Sequence, residues 1–272
     1  MLRWMKLNAE AANRFLNRLL RWLAVVLSVL VLIVALVSLL RKGPPGITRM
    51  PDFGKIEDVR ERKAAFFAFL EPFSKAANEE VLAARHRLQT LRERSGSVPL
   101  NRRDLTWLSK MESAYGLPVA DGEEEAEVRM ERLLRRVDII PPSMALAQAA
   151  LESGWGTSRF AREGNNLFGI WCYEPGCGMV PRQRPAGRTY EVAAYASPRA
   201  CFEDYIRNLN TNEAYREMRD LRMGLRAAKE PVTGPVLIDG LVRYSQEGWI
   251  YIGKVRRVIQ SNNLTRYDEP VR

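Results

Sequence analysis

The sequence predicts a mainly α-helical body with one small β-hairpin, held behind an N-terminal transmembrane helix. Three observations predict it. An uncharged apolar run, 23-LAVVLSVLVLIVALVSLL-40, is close to the about 20 residues of helix that cross a hydrocarbon core. From residue 57 onward, apolar side chains recur at helical spacing through several segments, with capping residues at their fronts. One loop-rich stretch, 172-CYEPGCGMVPRQRPAG-187, is followed by an alternating segment, 188-RTYEVAAYAS-197, as in a hairpin turning near Pro185-Ala186-Gly187.

Residues 1–22 form a basic arm and residues 23–40 the anchor. The run is longer than a signal-peptide core, and no small-x-small cleavage site precedes Arg41. No face of it is polar, which argues against a buried core helix. The chain of 272 residues has a formal charge of +10, but residues 1–42 hold seven Lys/Arg against Glu10 alone. The excess therefore sits beside the apolar run, where it suits an anionic lipid surface, and no nucleic-acid partner is expected. Five Lys/Arg in residues 1–21 face another five in 41–60, so the positive-inside rule barely orients the helix.

Residues 41–56, beginning Gly43-Pro44-Pro45-Gly46 after Arg41-Lys42, read as a linker. A helical region follows over 57–136. Its first helix carries Phe66, Phe67, Phe69 and Leu70, and Pro72 is expected to break it. Asn101 or Asp104 caps a helix running to Tyr115, and 121-DGEEEAE-127 starts another that ends near Arg136, acids first and arginines last as the dipole prefers. These segments read as packing and solvated faces, either preceding the next domain or packed on it.

The character changes over 137–265. Pro141-Pro142 opens an apolar helix that stops at Gly154. Beyond the hairpin, helices are expected from Pro198 to about Asn210 and over roughly 213–228, 235–243 and 250–262. The single histidine, His86, lies among charges, which excludes a His-based metal site and a Ser-His-Asp triad. No metal and no cofactor are expected.

The segment 147-AQAALESGWGTSRFAREGNNLFGI-170 places one acid, Glu152, in the last turn of a helix. There the dipole disfavours a carboxylate and raises its pKa, and shielding by Trp155, Phe168 and Trp171 pushes the same way. A protonated glutamic acid is what cleavage of a glycosidic bond requires. The other reading of Glu152 is a solvated acid at a frayed helix end. Aromatics are dense from 155 to 205. Phe160, Phe202 and Tyr205 read as core, whereas Trp171 and Tyr173, on a loop, suit the apolar face of a sugar.

The blocks 146–156, 165–170, 193–209 and 241–264 together resemble the glucosaminidase-domain peptidoglycan hydrolases, glycoside hydrolase family 73, and the loop 172-CYEPGCGMVP-181 is most similar to the bacterial Bax-type subgroup. The resemblance implies a lysozyme-like fold with a groove and a β-hairpin beside it, and hydrolysis of the β-1,4 bond after N-acetylglucosamine in peptidoglycan glycan strands. It implies Glu152 as the acid and Tyr244 as a groove tyrosine. Only the tyrosine is kept in Arg243-Tyr244-Ser245-Gln246-Glu247, where the family has Gly-Tyr-Ala-Thr-Asp. Trp155, Asn166, Phe168, Trp171 and Tyr173 are the candidate substrate contacts. The family's second glutamate, on the first hairpin strand, has no counterpart here. The acids available in its place are Glu174, before the hairpin, and Glu191, on its second strand, the latter being the candidate catalytic residue. A site with one acid, assisted by the substrate's own N-acetyl group, is the alternative, and so is a peptidoglycan-binding module without turnover.

Cys172 and Cys177 flank Tyr173-Glu174-Pro175-Gly176 and suit a small disulfide-closed loop in an exported domain, while Cys201, in a helical pattern, reads as a buried apolar residue. A cell-wall substrate and a disulfide orient the anchor with its N-terminus inside and the body in the periplasm or outside the cell.

Overall fold

Phe53 shows where the folded body begins. In the computed structural model, which describes Trp22, residues 50–119 and residues 126–268, Phe53 is 2% exposed and packs edge-on against Phe66 and Phe69. Met50 is also buried. The linker expected over 41–56 therefore ends sooner: the Gly-Pro composition ahead of it masked one large apolar side chain, whose burial contributes about 2–3 kcal/mol. The chain divides into two compact units, residues 1–45 and 46–272, and apart from Trp22 the described residues belong to the second. The anchor expected over 23–40 lies outside the described residues. Among the described residues, no helix is long and apolar enough to cross a membrane.

The first helix, α1 (Val59–Ser95), is capped by Asp58, whose side chain accepts from Glu61 N at 2.8 Å. It runs unbroken through Pro72, contrary to the expected break. Pro72 is exposed, so its ring sits on the solvent side, while Phe66, Phe67, Leu70, Phe73 and Ala77 are buried on either side of it. That burial, about 1.5–3 kcal/mol per large side chain, outweighs the one backbone hydrogen bond that proline removes. Further along α1, Leu88 and Leu91 join a second cluster with Leu108 of α2 (Arg102–Ala114) and Met130, Leu133 and Leu134 of α3 (Ala126–Arg136). Asn101 caps α2, accepting from Arg103 N and Asp104 N.

The larger core gathers around α4 (Pro142–Glu152), in which every residue from Pro142 to Ala150 is buried. A helix buried all round has no polar face to cap itself with, and Pro141 offers no capping side chain. Asp268, 125 positions along the chain, does it instead. It accepts from Ser143 N at 2.8 Å and Ser143 Oγ at 2.5 Å, placing a carboxylate at the positive end of the helix. Short α5 (Arg159–Gly164) follows, then a three-stranded antiparallel sheet of β1 (Trp171–Cys172), β2 (Gly178–Met179) and β3 (Glu191–Ala193) in the order β1-β3-β2. Met179 and Trp171 both pair with Val192. The expected hairpin is present as β2–β3, with shorter strands and a longer loop than the alternation suggested. The third strand, β1, was hidden by the turn-forming residues that follow it.

The remaining helices are α6 (Pro198–Thr211), α7 (Arg216–Ala228), α8 (Gly234–Leu237) and α9 (Trp249–Ser261). Asp138, 1% exposed, ties α7 to α1. Arg226 donates two hydrogen bonds to it, Arg85 lies 3.3 Å and Arg222 3.8 Å away. The same arginines close the end of α3: Arg85 donates to Leu134 O and Val137 O, and Arg222 to Arg135 O. Orphan carbonyls at a buried helix end need such donors.

Candidate active site

Glu152 is the last residue of α4 and is exposed to solvent. Behind it the chain makes an abrupt exit. Gly154, Trp155 and Gly156 all have positive φ, at 58°, 60° and 75°. Trp155 N donates to Ala150 O at 2.8 Å, Ser153 Oγ to Ala149 O at 2.5 Å, and Gly156 N to Ser153 Oγ at 2.8 Å, so the carbonyls of Ala149 and Ala150 near the end of α4 are satisfied. A Cβ on Gly156 would lie 2.7 Å from the Phe53 ring. Gly-Trp-Gly thus ends α4 at Glu152 and seals the turn against α1. Trp155 in a left-handed conformation is strained, and its ring is held edge-on between Phe66 and Phe67 with Lys63 Nζ 4.7 Å from its centre. That is a packing role, different from the substrate contact expected of it.

Tyr251, on α9, donates its hydroxyl to Glu152 Oε1 at 2.7 Å. Although Glu152 reaches solvent, the protein packed behind its carboxyl strips part of its hydration and raises its pKa. The Tyr251 hydrogen bond opposes that rise, and the charge of Glu247 adds to it. Glu247, in the loop before α9, is held by Lys254 Nζ at 2.6 and 2.8 Å. Tyr244, from the same loop, stacks on Tyr251 with ring centres 5.4 Å apart and lies beside Tyr215. Its hydroxyl reaches Phe168 O at 3.5 Å, a long contact. Glu152, Tyr244, Glu247 and Tyr251 are thereby brought together.

The other expected site residues divide. Asn166 is 2% exposed and has no capacity left for a sugar: its Nδ2 donates to Ile170 O and Ala193 O, both at 2.9 Å, and its Oδ1 accepts from Ile170 N and Phe168 N. It stitches the 165–170 loop to β3. Asn165 before it takes the left-handed conformation, φ 51°, that ends α5. Phe168 is 4% exposed, stacked 3.8 Å from Tyr205 and edge-on to Phe202, hence core rather than platform. Phe202 and Tyr205 are fully buried. Trp171 and Tyr173, at 52% and 69% exposure, are open to solvent, and Trp171 lies flat on Tyr190 with ring centres 4.4 Å apart. A flat exposed aromatic pair of this kind fits the apolar face of a sugar.

Glu191 is occupied in a different way from the one expected. Its Oε1 accepts from Gly176 N at 3.2 Å and its Oε2 from Gly178 N at 2.8 Å, and these two amides hold its pKa below the ordinary carboxylate range. It clamps the loop closed by the Cys172–Cys177 disulfide, whose Cα atoms are 6.2 Å apart. Potential metal-ligand atoms of Cys172, Cys177 and Glu191 lie within 4.8 Å of one another, but disulfide-bonded sulfurs are not thiolate ligands. Cys201 is fully buried, with its thiol pushed up to about 12 by burial, and His86 is exposed.

Gln148 and Tyr251 were missed in the sequence, as was Glu247's proximity to Glu152. Gln148 carried a signal, since it precedes Glu152 by one helical turn and so shares its face of α4. Tyr251 carried none, because nothing local links it to a residue 99 positions away.

Comparison with known proteins gives three findings. The glucosaminidase family model, described as mannosyl-glycoprotein endo-beta-N-acetylglucosaminidase, matches residues 129–264. The Protein bax of Escherichia coli strain K12 is 33% identical over 213 residues, covering 78% of this chain and 74% of that protein. The crystal structure of the catalytic domain of the autolysin Auto from Listeria monocytogenes is 21% identical and covers 66% of this chain and 96% of its own, at a TM-score of 0.33. A superposition that loose transfers no positions.

Proposed function

This chain belongs to the glucosaminidase family of peptidoglycan hydrolases and is a glycoside hydrolase of the endo-β-N-acetylglucosaminidase type, and from that premise we propose that Glu152 is its general acid. The observation that carries the reading is the state of that one carboxyl. It ends a buried helix, it reaches solvent, and burial raises its pKa while Glu247 adds repulsion. A carboxyl so placed keeps its proton to higher pH than an ordinary glutamic acid and can pass it to the glycosidic oxygen as the bond breaks.

With Glu191 engaged by two amides, the second group of a two-carboxylate scheme is supplied from elsewhere. The substrate's N-acetyl oxygen is the nucleophile we favour: it attacks the anomeric carbon as the leaving sugar takes the proton of Glu152, and water then opens the resulting ring, giving a proton back to the Glu152 carboxylate. Tyr244 sits beside Tyr251, a position that suits a contact to the reacting sugar. Trp171, stacked on Tyr190, and Tyr173 are the proposed glycan platform of a lysozyme-like fold.

The anchor over 23–40 is proposed to hold the enzyme in the cytoplasmic membrane with its body outside the cytoplasm. The Cys172–Cys177 disulfide supports that side, since such bonds persist in oxidising compartments. A reporter enzyme active only outside the cytoplasm, fused after Asp268, tests it: activity supports this orientation and silence sinks it.

The function is tested on residues 46–272 incubated with sacculi. The wild type is expected to release muropeptides ending in N-acetylglucosamine, and Glu152→Gln to be slower by about 10²-fold or more. Equal rates sink the assignment. Binding to sacculi without any product would support the second reading, a glycan-binding module, which the commitment of Glu191 favours.

A further inference from the structure

Gln148 and Glu152 lie one turn apart on α4, so their side chains share a face. Gln148 is fully buried, and a buried carboxamide must satisfy its donors and acceptor. Its partners are two phenols from other elements. Tyr205 of α6 donates to Gln148 Oε1 at 2.7 Å, and Gln148 Nε2 donates to Tyr251 Oη at 2.9 Å. Tyr251 in turn donates to Glu152 Oε1 at 2.7 Å. Three hydrogen bonds thus form one directed chain, Tyr205 to Gln148 to Tyr251 to Glu152.

The direction has a chemical consequence. A phenol has one hydrogen. Because Gln148 donates into the oxygen of Tyr251, that hydrogen is left for Glu152, and a donor already on its oxygen makes Tyr251 a stronger donor. Oε1 of Glu152 is then an acceptor whether or not the carboxyl is ionised, and the acidic proton resides on Oε2. Were the chain reversed, Glu152 would donate its proton to Tyr251 and hold none for a leaving oxygen. The rings that carry the chain are braced by stacking, Tyr205 on Phe168 and Tyr251 on Tyr244.

We propose that Gln148 and Tyr251 are positioning residues, whose directed hydrogen bonds keep the proton of Glu152 on Oε2 and so present it to the glycosidic oxygen. The proposal rests on the reading of Glu152 as general acid. The titratable groups around that carboxyl are Tyr205 of α6, Tyr215 ahead of α7, Tyr244 and Glu247 of the loop before α9, and Tyr251 of α9. Burial raises the pKa of all four phenols above the ordinary tyrosine value. They therefore stay protonated while the enzyme works, and the proton at issue is that of Glu152.

The test is the pH dependence of kcat for the full chain in detergent, acting on soluble uncrosslinked glycan strands. Tyr251→Phe keeps the ring and its stacking. It is expected to lower kcat about tenfold with little change in KM. It also removes a hydrogen bond that favours ionised Glu152, so the alkaline limb of the profile, where the acid loses its proton, moves to higher pH. Gln148→Met is expected to act in the same direction and less strongly. The double variant is expected to match Tyr251→Phe alone, because Gln148 acts only through Tyr251. Should Gln148→Met unfold because it strands the Tyr205 hydroxyl, the paired change Gln148→Met/Tyr205→Phe removes both partners and takes its place. An unmoved alkaline limb in Tyr251→Phe, or losses that multiply in the double variant, overturns the proposal. Glu152→Gln is run alongside. If it is inactive while the other variants leave the limb unmoved, the positioning role alone fails. If it is fully active, the acid assignment fails and the positioning role with it.

Discussion

A carboxyl group on the last residue of a helix faces the negative end of the dipole, and Glu152 has in addition a buried helix behind it. Both effects favour the protonated form, so hydrolysis is expected to persist above the pH at which an ordinary glutamic acid has ionised and to fall as pH rises through the raised pKa of Glu152. A pH–rate profile of wild type checks this; activity that instead rises through that range contradicts the role. Neighbouring residues show how little residue type says by itself. Asn166 and Phe168 look like ligand contacts in a glycan-binding motif, but one is saturated by backbone groups and the other is stacked under Tyr205. Asn166→Ala is accordingly expected to cost about 1–3 kcal/mol of stability, measured by denaturant unfolding, because it strands buried backbone groups. Trp171→Ala is expected to leave stability within about 0.5 kcal/mol and to raise KM, since its ring is half exposed and lies on Tyr190.

At the scale of elements, α1 and the turn after α4 depend on one another. The turn presents Gly156 to Phe53 and Trp155 to Phe66 and Phe67, so the helical region before the hydrolase blocks forms part of the wall that holds Glu152. Gly156→Ala meets the Phe53 ring at 2.7 Å in a backbone conformation that favours glycine. It is expected to destabilise by about 1–3 kcal/mol and to lower activity, because it moves the end of α4. Pro72→Ala should do the reverse for stability. The proline is exposed within an unbroken helix, and replacing it restores a backbone donor and removes a steric clash, a gain of about 1–3 kcal/mol that thermal unfolding would read as a higher Tm.

Across the whole folded unit, Asp138 joins α1, the segment ahead of α4 and α7 through Arg85, Arg222 and Arg226. Burial on its own would raise the pKa of Asp138, but Arg222, the Arg226 hydrogen bond and Arg85 together bring it below the ordinary value. A depressed carboxyl contributes stability that is present above the unfolded aspartate pKa, about 3.9, and is lost as pH falls through the lower folded value. Acid unfolding followed by circular dichroism should therefore lose its steepest part in Asp138→Asn. Asp138→Ala is expected to cost about 3–5 kcal/mol at neutral pH, since it leaves buried guanidinium groups without their counter-charge; a loss under about 1 kcal/mol would show that the helix-end carbonyls alone satisfy them.

Much of this was legible in the sequence, for local reasons. Helical periodicity, Asn101 as a cap, Pro142 at a helix start, the helix stop at Gly154 and the Cys172–Cys177 loop are short-range matters, set by side-chain spacing and backbone sterics within a few residues. The acid at the end of α4 and the family motif around it belong to the same class. Only the tertiary structure could decide which side chains were already committed: Glu191 to the amides of its loop, Asn166 to β3, Trp155 to α1, and Asp268 to the front of α4. It alone also joined Gln148 to Tyr205 and Tyr251. A hydrogen bond between residues so far apart in the chain leaves no periodic trace, because its partners are chosen by how helices pack and not by what lies beside them in the sequence.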